Sequence, residues 1–463
     1  MPPPISPASR FSKSRQDGLI LLVLGCLIFL LLGGALGATS HNSMLDFKSL
    51  YYGARCLAAG HDPFQHSVLL KFFLEDGGAR PWDTAKTIRI ATQSGNLPTA
   101  FSFIALFAVL PWGAAHALLM IVIGAAMSLA SFLMWRLGAG RAPLLSGSLI
   151  FILIASSQIL LLTGNAAGVV VGLTVIATWC FLEERFALAG ILCLAVSLTI
   201  KPHDCGLVWL YFFLAGGVYR KRALQTLIAA LVIGLPALLV VWHVAPHWRP
   251  ELQADLNAFF APGDVADPHL AAMGVHGIGM LVNLQTALCF FWNNPRFYNW
   301  AAYLIAGALI VFWGVVVLRS RRSMFHACLA LAAIAPLSML PVYHRTYDAK
   351  LLLLTVPACA MLWAEGRFTG RLALLVNIVG LVFSADLLSM ALIAIDSKFH
   401  VPPLAPLGHL MTGLQVFAAP LSLLAMGIFY LWVFAERARA QDAFAGPTAP
   451  APLSQTAVTP SSR

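Results

Sequence analysis

The sequence predicts an all-α polytopic membrane protein, and three observations carry that prediction. Hydrophobic residues make up 59% of the 463 positions and charged residues only 10%, against about 25% charged in a soluble domain. About a dozen apolar runs approach the ~20 residues a helix needs to cross a bilayer. Arginine and lysine gather in short segments between those runs, which is the orientation signal of membrane proteins. The formal net charge of +10 therefore reports topology and is not a nucleic-acid footprint.

Each element follows in order. Residues 1–17 read as a short Pro/Ser-rich cytoplasmic tail with Arg10, Lys13 and Arg15. Residues 18–38 are the first span, kept because no clear small-residue cleavage site follows. Residues 39–97 form a polar loop that opens on HNSMLDFKSLYYGARCLAAGHDPF. Asn42 or Ser43 is expected to cap a helix there and Gly60 to end it. Leu45, Tyr52 and Leu57 then lie towards one side, with Lys48 and Arg55 on another. Asp46 falls in the first turn, where the helix dipole favours a carboxylate.

Residues 97–136 form an apolar block broken by Pro98 and by Pro111-Trp112-Gly113. Charge parity resolves it. Arg136, Arg141, the 220–222, 319–322 and 367–371 clusters, Arg437 and Arg439 all share the N-terminal side only if residues 99–112 do not cross. That stretch is therefore expected as an interfacial or re-entrant helix, with 114–136 as the second span. The remaining spans are 144–163, 166–183, 186–200, 205–219, 223–245, 299–318, 324–343, 348–365, 371–395 and 409–435. About twelve crossings result, in a domain of residues 18–436 with outer loops 39–113 and 246–298. Around the second loop, Trp248, Trp292, Tyr298 and Trp300 suit an interface. Residues 437–463 are expected as a disordered cytoplasmic tail, Ala/Pro/Ser/Thr-rich from residue 440. The eight cysteines show no metal spacing, and only Cys56 and Cys205 lie where they could pair. No internal repeat supports an inverted-repeat transporter.

Three polar clusters converge on the outer side. One is Asp46 with Lys48, Tyr51 and Tyr52, followed by His61 and Asp62. The second is Lys201-Pro202-His203-Asp204. The third runs from Tyr343 through His344, Arg345, Thr346, Tyr347, Asp348 and Ala349 to Lys350. Together they offer a base for a hydroxyl proton and cations for a phosphate leaving group, the requirements of sugar transfer. Each residue also has a plainer reading. Asp46 would serve its helix N-terminus, Lys201 would snorkel, and the 344–350 turn would be self-paired. Asn165 would cap the next span. Asp386 is a buried acid with no evident partner in the sequence. No Walker loop, GxGxxG or HExxH motif is present.

The order of these pieces resembles a known family. A basic tail and span precede D-F-x3-Y-Y-x-A-x2-L-x2-G-x-D-P-F. Asn96-Leu97-Pro98 then stands before an apolar helix, and a Gly164-Asn165 turn follows. After these come A-G-x-L-x-L-A-x2-L-x-I-K-P, from Ala189 to Pro202, and a late turn with His344. This arrangement, over residues 18–435, resembles the GT-C superfamily of integral-membrane glycosyltransferases, and within it glycosyltransferase family 87. Relatives of that kind are similar to bacterial polyprenol-phosphate-mannose-dependent mannosyltransferases. The resemblance implies a GT-C bundle in the bacterial inner membrane with its active site facing the periplasm. It implies a polyprenyl-phosphate sugar donor, a hexose such as mannose, and a glycan or glycolipid acceptor. Transfer with inversion follows, with no cofactor and no metal required. It makes Asp46 and His344 the catalytic candidates. Lys201, His203, Arg345, Lys350, Tyr52, Asn165, Tyr347 and Asp348 are then the substrate-binding candidates. The family pattern commonly has Tyr-Pro-Pro and Gly-Gln where this chain has Asn96-Leu97-Pro98 and Gly164-Asn165, so the sugar stays open. The rival readings are a lipid-linked sugar transporter or flippase, which predicts polar residues at mid-span, and a non-catalytic scaffold, which needs no clustered acid, imidazole and ammonium.

Overall fold

The first helix, α1 (Pro7–Thr39), leads into a loop that is itself helical: α2 (Leu45–Ala58), α3 (His66–Glu75), α4 (Ala85–Thr92), a 3-10 turn at Pro98–Ala100 and the short α5 (Phe101–Ala108). Then come α6 (Trp112–Ala139), α7 (Pro143–Ile154), α8 (Gln158–Thr163), α9 (Ala167–Leu182), α10 (Ala187–Ile200), α11 (Pro202–Ala215) and α12 (Gly217–Val244). The second loop holds α13 (Trp248–Phe259) and α14 (Leu284–Cys289). The last third is α15 (Pro295–Arg319), α16 (Met324–Ser338), a 3-10 segment Asp348–Leu354 running into α17 (Thr355–Ala364), then α18 (Phe368–Phe383) and α19 (Asp386–Phe399). It ends with α20 (Pro406–Gly413), a π-helical turn at Leu414–Ala418 and α21 (Ala419–Phe444). This computed structural model describes residues 7–40, 43–270, 273, 280–402 and 404–444.

Helix occupies every expected crossing segment. Among the described residues, six helical stretches are long and apolar enough to cross a membrane: Phe11–Thr39, Trp112–Ala139, Pro143–Thr163, Gly217–Val244, Pro295–Arg319 and Pro406–Ala440. The pair α18–α19, bent by 45°, makes a seventh if taken as one span. The chain is a multi-pass, all-α membrane protein. Leu31, Val232 and Leu304 expose 68–70% of their surface on these helices, as lipid-facing side chains do and water-facing ones rarely do.

Close helix contact depends on small residues, since lipid gives no hydrophobic drive for helices to associate. A Cβ on Gly18 of α1 would fall 2.3 Å from the Pro143 carbonyl oxygen of α7. α16 is the central helix, buried from His326 to Ser338 between α21, α17, α11 and α15. Arginines collect at one set of helix ends. Arg222 donates to the Phe181 carbonyl at 3.0 Å, Arg136 lies over Trp179, and Arg437 pairs with Glu365 and lies over Phe325.

Two expectations need correction and two are sharpened. Ser43 does not cap α2. Met44 holds that position in a left-handed conformation (φ 59°), and its N–H donates to the Leu162 carbonyl at 2.7 Å, so the cap is tertiary. Asn42, the other expected cap, lies outside the described residues. α3, α4 and α5 wrap α2, so the side that carries Lys48 is covered, and Lys48 is buried 3.8 Å from Asp83. Cys56 and Cys205 are both buried and free. The expected terminal tails are partly helical, since α1 starts at Pro7 and α21 runs to Phe444. Residues 1–6 and 445–463, the rest of those tails, lie outside the described residues. Gly60 does end α2 (φ +78°), with the paired bonds Gly60 N–H to Leu57 and His61 N–H to Cys56 that close a helix with a left-handed residue.

Candidate active site

The site grows from three chain turns. In the first, α8 ends at Gly164 in the left-handed region (φ +63°), where a Cβ would lie 2.5 Å from the Met44 sulfur. Glycine here both makes the turn and admits the start of α2. Asn165 follows. Its side-chain oxygen accepts the Ala167 N–H at 2.8 Å, capping α9, while its amide donates to Asp46 Oδ2 at 2.7 Å. The two readings of Asn165 therefore hold together: it caps its helix and fixes the acid.

In the second turn, Lys201 separates α10 from α11. Pro202 takes the first helical position of α11, which suits its fixed φ. Asp204 is thereby set in the first turn and is buried. In the third, residues 340–346 are held against 280–284 by Val282 N–H to His344, Thr346 N–H to Met280 and Leu284 N–H to Leu340, each at 3.0 Å. The bridge Leu281–Arg345 is the one strand-like pairing among the described residues. Asp348 closes this turn by accepting the Arg345 N–H at 2.8 Å.

The second and third turns meet in a buried charge cluster. Lys201 Nζ lies 3.1 Å from Asp204 Oδ2 and 2.9 Å from Asp348 Oδ1. His203 Nε2 and His344 Nε2 each lie 3.2 Å from the same Asp204 oxygen, Oδ1. His344 Nδ1 is 3.1 Å from the Val342 carbonyl. A carbonyl only accepts, so Nδ1 carries the proton there. The approaches to Asp204 are close but poorly directed: neither of its oxygens, nor His344 Nε2, completes a well-oriented hydrogen bond. Burial opposes protonation of His344, but the close approach of Asp204 and the Asp348 charge outweigh it and raise its pKa. At His203, desolvation dominates over the pull of Asp204 and lowers the pKa, which favours the neutral ring.

Asp46 joins this cluster through the third turn. It acts electrostatically on Arg345 and Tyr347, and Lys201 Nζ lies 5.6 Å from the centre of the Tyr347 ring. Arg345 bonds to the Tyr343 hydroxyl and the Val265 carbonyl. Lys201, His203, Asp204, His344 and Asp348 thus meet in one cluster, with Tyr347 beside it, while the Asp46–Asn165 pair lies within electrostatic reach of Arg345 and Tyr347.

Two expected residues are elsewhere. Tyr52 is buried in an aromatic cage of Tyr51, Phe73 and Trp112, and desolvation raises its pKa to about 12. Lys350 points into the interior, fully buried, with its ammonium 3.3 Å from Asp386. That contact supplies the partner Asp386 lacked in the sequence. Asp204, at the centre, was absent from the expected site residues. Its place in the first turn of a helix opening on Lys-Pro was the available signal. No family model, curated protein or solved structure matches this chain.

Proposed function

We propose that this protein is an integral-membrane glycosyltransferase of the GT-C type with about twelve crossings, similar to family 87. It moves a hexose, mannose first among the candidates, from a polyprenyl-phosphate donor to a hydroxyl of a glycan or glycolipid on the periplasmic side of a bacterial inner membrane. The observation that carries this reading is an acid fixed by Asn165 whose charge reaches Arg345 and Tyr347, with Lys201 over the Tyr347 ring, in an apolar helical bundle.

Asp46 is the base. It takes the acceptor hydroxyl proton as that oxygen bonds to the sugar C1. The C1–O bond to phosphate breaks in the same step, its electron pair leaves with the polyprenyl phosphate, and the sugar carbon inverts. Arg345 suits the growing phosphate charge because its planar donors match phosphate oxygens, and Lys201 adds a point charge. His344, engaged with Asp204, belongs to the phosphate-side cluster. The donor's lipid tail then packs against the apolar helices.

A transfer assay with a panel of polyprenyl-phosphate hexoses tests this. Asp46→Asn keeps the Asn165 contact and loses the base, so transfer falls by about 10²–10⁴-fold in a chain that still folds. Full transfer by the folded variant sinks the assignment, and no transfer by the parent from any donor in the panel sinks the reading.

A further inference from the structure

We infer that His203, Asp204 and His344 form a binding site for one divalent transition-metal ion of the zinc class. Two imidazole nitrogens converge on one oxygen of Asp204. His344 Nδ1 faces the Val342 carbonyl and so holds the ring proton. Its Nε2 then faces Asp204 Oδ1 at 3.2 Å. A bare Nε2 and a carboxylate oxygen do not approach that closely unaided, so a positive centre, a proton or a metal ion, belongs between them. His203 Nε2 points at the same oxygen, also at 3.2 Å. Protons serve these contacts only one ring at a time, whereas a single metal ion joins both nitrogens to the oxygen.

The distances fit. Donors ~2.0–2.1 Å from a tetrahedral zinc stand about 3.3 Å apart, and the three donor atoms here lie within 4.8 Å of one another. Asp204 and His344 are nine-tenths or more buried, with Oδ1 and Nε2 lacking a well-oriented bond. The Nδ1–H to carbonyl bond is the support that orients metal-bound imidazoles. Two nitrogens and one carboxylate oxygen suit zinc and its neighbours better than magnesium or calcium. Three protein ligands leave a fourth position open, and the side chain of His203, 44% exposed, gives the ion a way in. Lys201 remains on the other Asp204 oxygen, Oδ2. On loading, the ion takes the proton's place at His344 Nε2 and that proton leaves to water. The sequence carries no metal motif because its ligands come from two distant turns.

Zinc binding needs no sugar donor, so this inference stands or falls apart from the transferase reading. The full chain in detergent is stripped with chelator and titrated with zinc ion alone, alongside His203→Ala and His203→Cys. The parent is expected to retain one zinc that His203→Ala binds at least ~10-fold more weakly and His203→Cys, with a thiolate ligand, recovers. Cobalt substitution should give the visible absorption of a four-coordinate site in the parent and lose it in His203→Ala. Unchanged affinity in a monodisperse His203→Ala chain, or no retained zinc in the parent, overturns the inference. A cysteine variant no better than alanine does so as well.

Discussion

Two buried charge clusters stand almost side by side in the chain, and they are built in opposite ways. Lys350 and Asp386 form a closed pair. Both side chains are fully buried, one cation meets one anion, and the remaining capacity goes to backbone. Asp386 Oδ2 accepts the Ile159 N–H at the start of α8, its own N–H donates to the Ser156 carbonyl, and Lys350 donates to that same carbonyl. The pair therefore sits where two broken helices interrupt, between α7 and α8 and between α18 and α19, and it satisfies groups that those breaks expose. The cluster around Asp204 is open. It has two carboxylates for one ammonium, two imidazoles on one oxygen, buried atoms without well-oriented partners, and one exposed edge at His203. A charge that holds a fold uses up its bonding capacity. A charge that handles a ligand keeps some in reserve.

Perturbing the closed pair gives the largest expected effect on stability. Lys350→Met leaves Asp386 charged and unpaired in the interior, a loss of about 3–5 kcal/mol. The double variant Lys350→Met/Asp386→Leu removes both charges and should return to within ~2 kcal/mol of the parent, short by the lost Ile159 cap. Unfolding of the three chains in one detergent checks this. A double variant no better than the single one would mean that the pair does more than neutralise itself.

Next in size is Gly164→Ala, which leaves both clusters intact and moves the acid beside the open one. A side chain in the left-handed region costs about 1–3 kcal/mol, and the new Cβ presses on Met44 at the head of α2. Stability should drop by roughly 2 kcal/mol, and transfer should drop further than unfolding explains, because Asp46 rides on that helix. Equal transfer per folded molecule would separate Asp46 from the turn.

The smallest effect is at the surface. Glu251 of α13 has its pKa raised, by partial burial first and then by neighbouring Asp62. With the folded value above the unfolded one, its contribution is fully present below the unfolded glutamate pKa of about 4.3 and is lost as pH rises through the folded value. Glu251→Gln should match the parent in acid and exceed it slightly at neutral pH, by ~0.5 kcal/mol or less after solvent screening. Parallel stability curves for the two chains across pH 4–8 would rule that coupling out.

Much of the molecule was legible beforehand, and particular residues show the boundary. The helical segments, the separate short helix at 101–108 and the polar turns at 164–165, 201–204 and 343–348 all follow from composition and spacing. The burial of Lys48 under α3 and α4, the aromatic cage around Tyr52 and the withdrawal of Lys350 to Asp386 do not. Nor did any local pattern rank Asp204 above Asp46, since both sit in first turns of helices.

By itself the sequence determined that this chain is helical, multi-pass and membrane-embedded, and which short turns carry its polar groups. Those are local properties, set by runs of apolar side chains and by where proline, glycine and arginine interrupt them. Only the tertiary structure decided which acid meets which cation. Charge pairing falls off within a few ångströms, and the partners here stand on separate helices far apart in the chain.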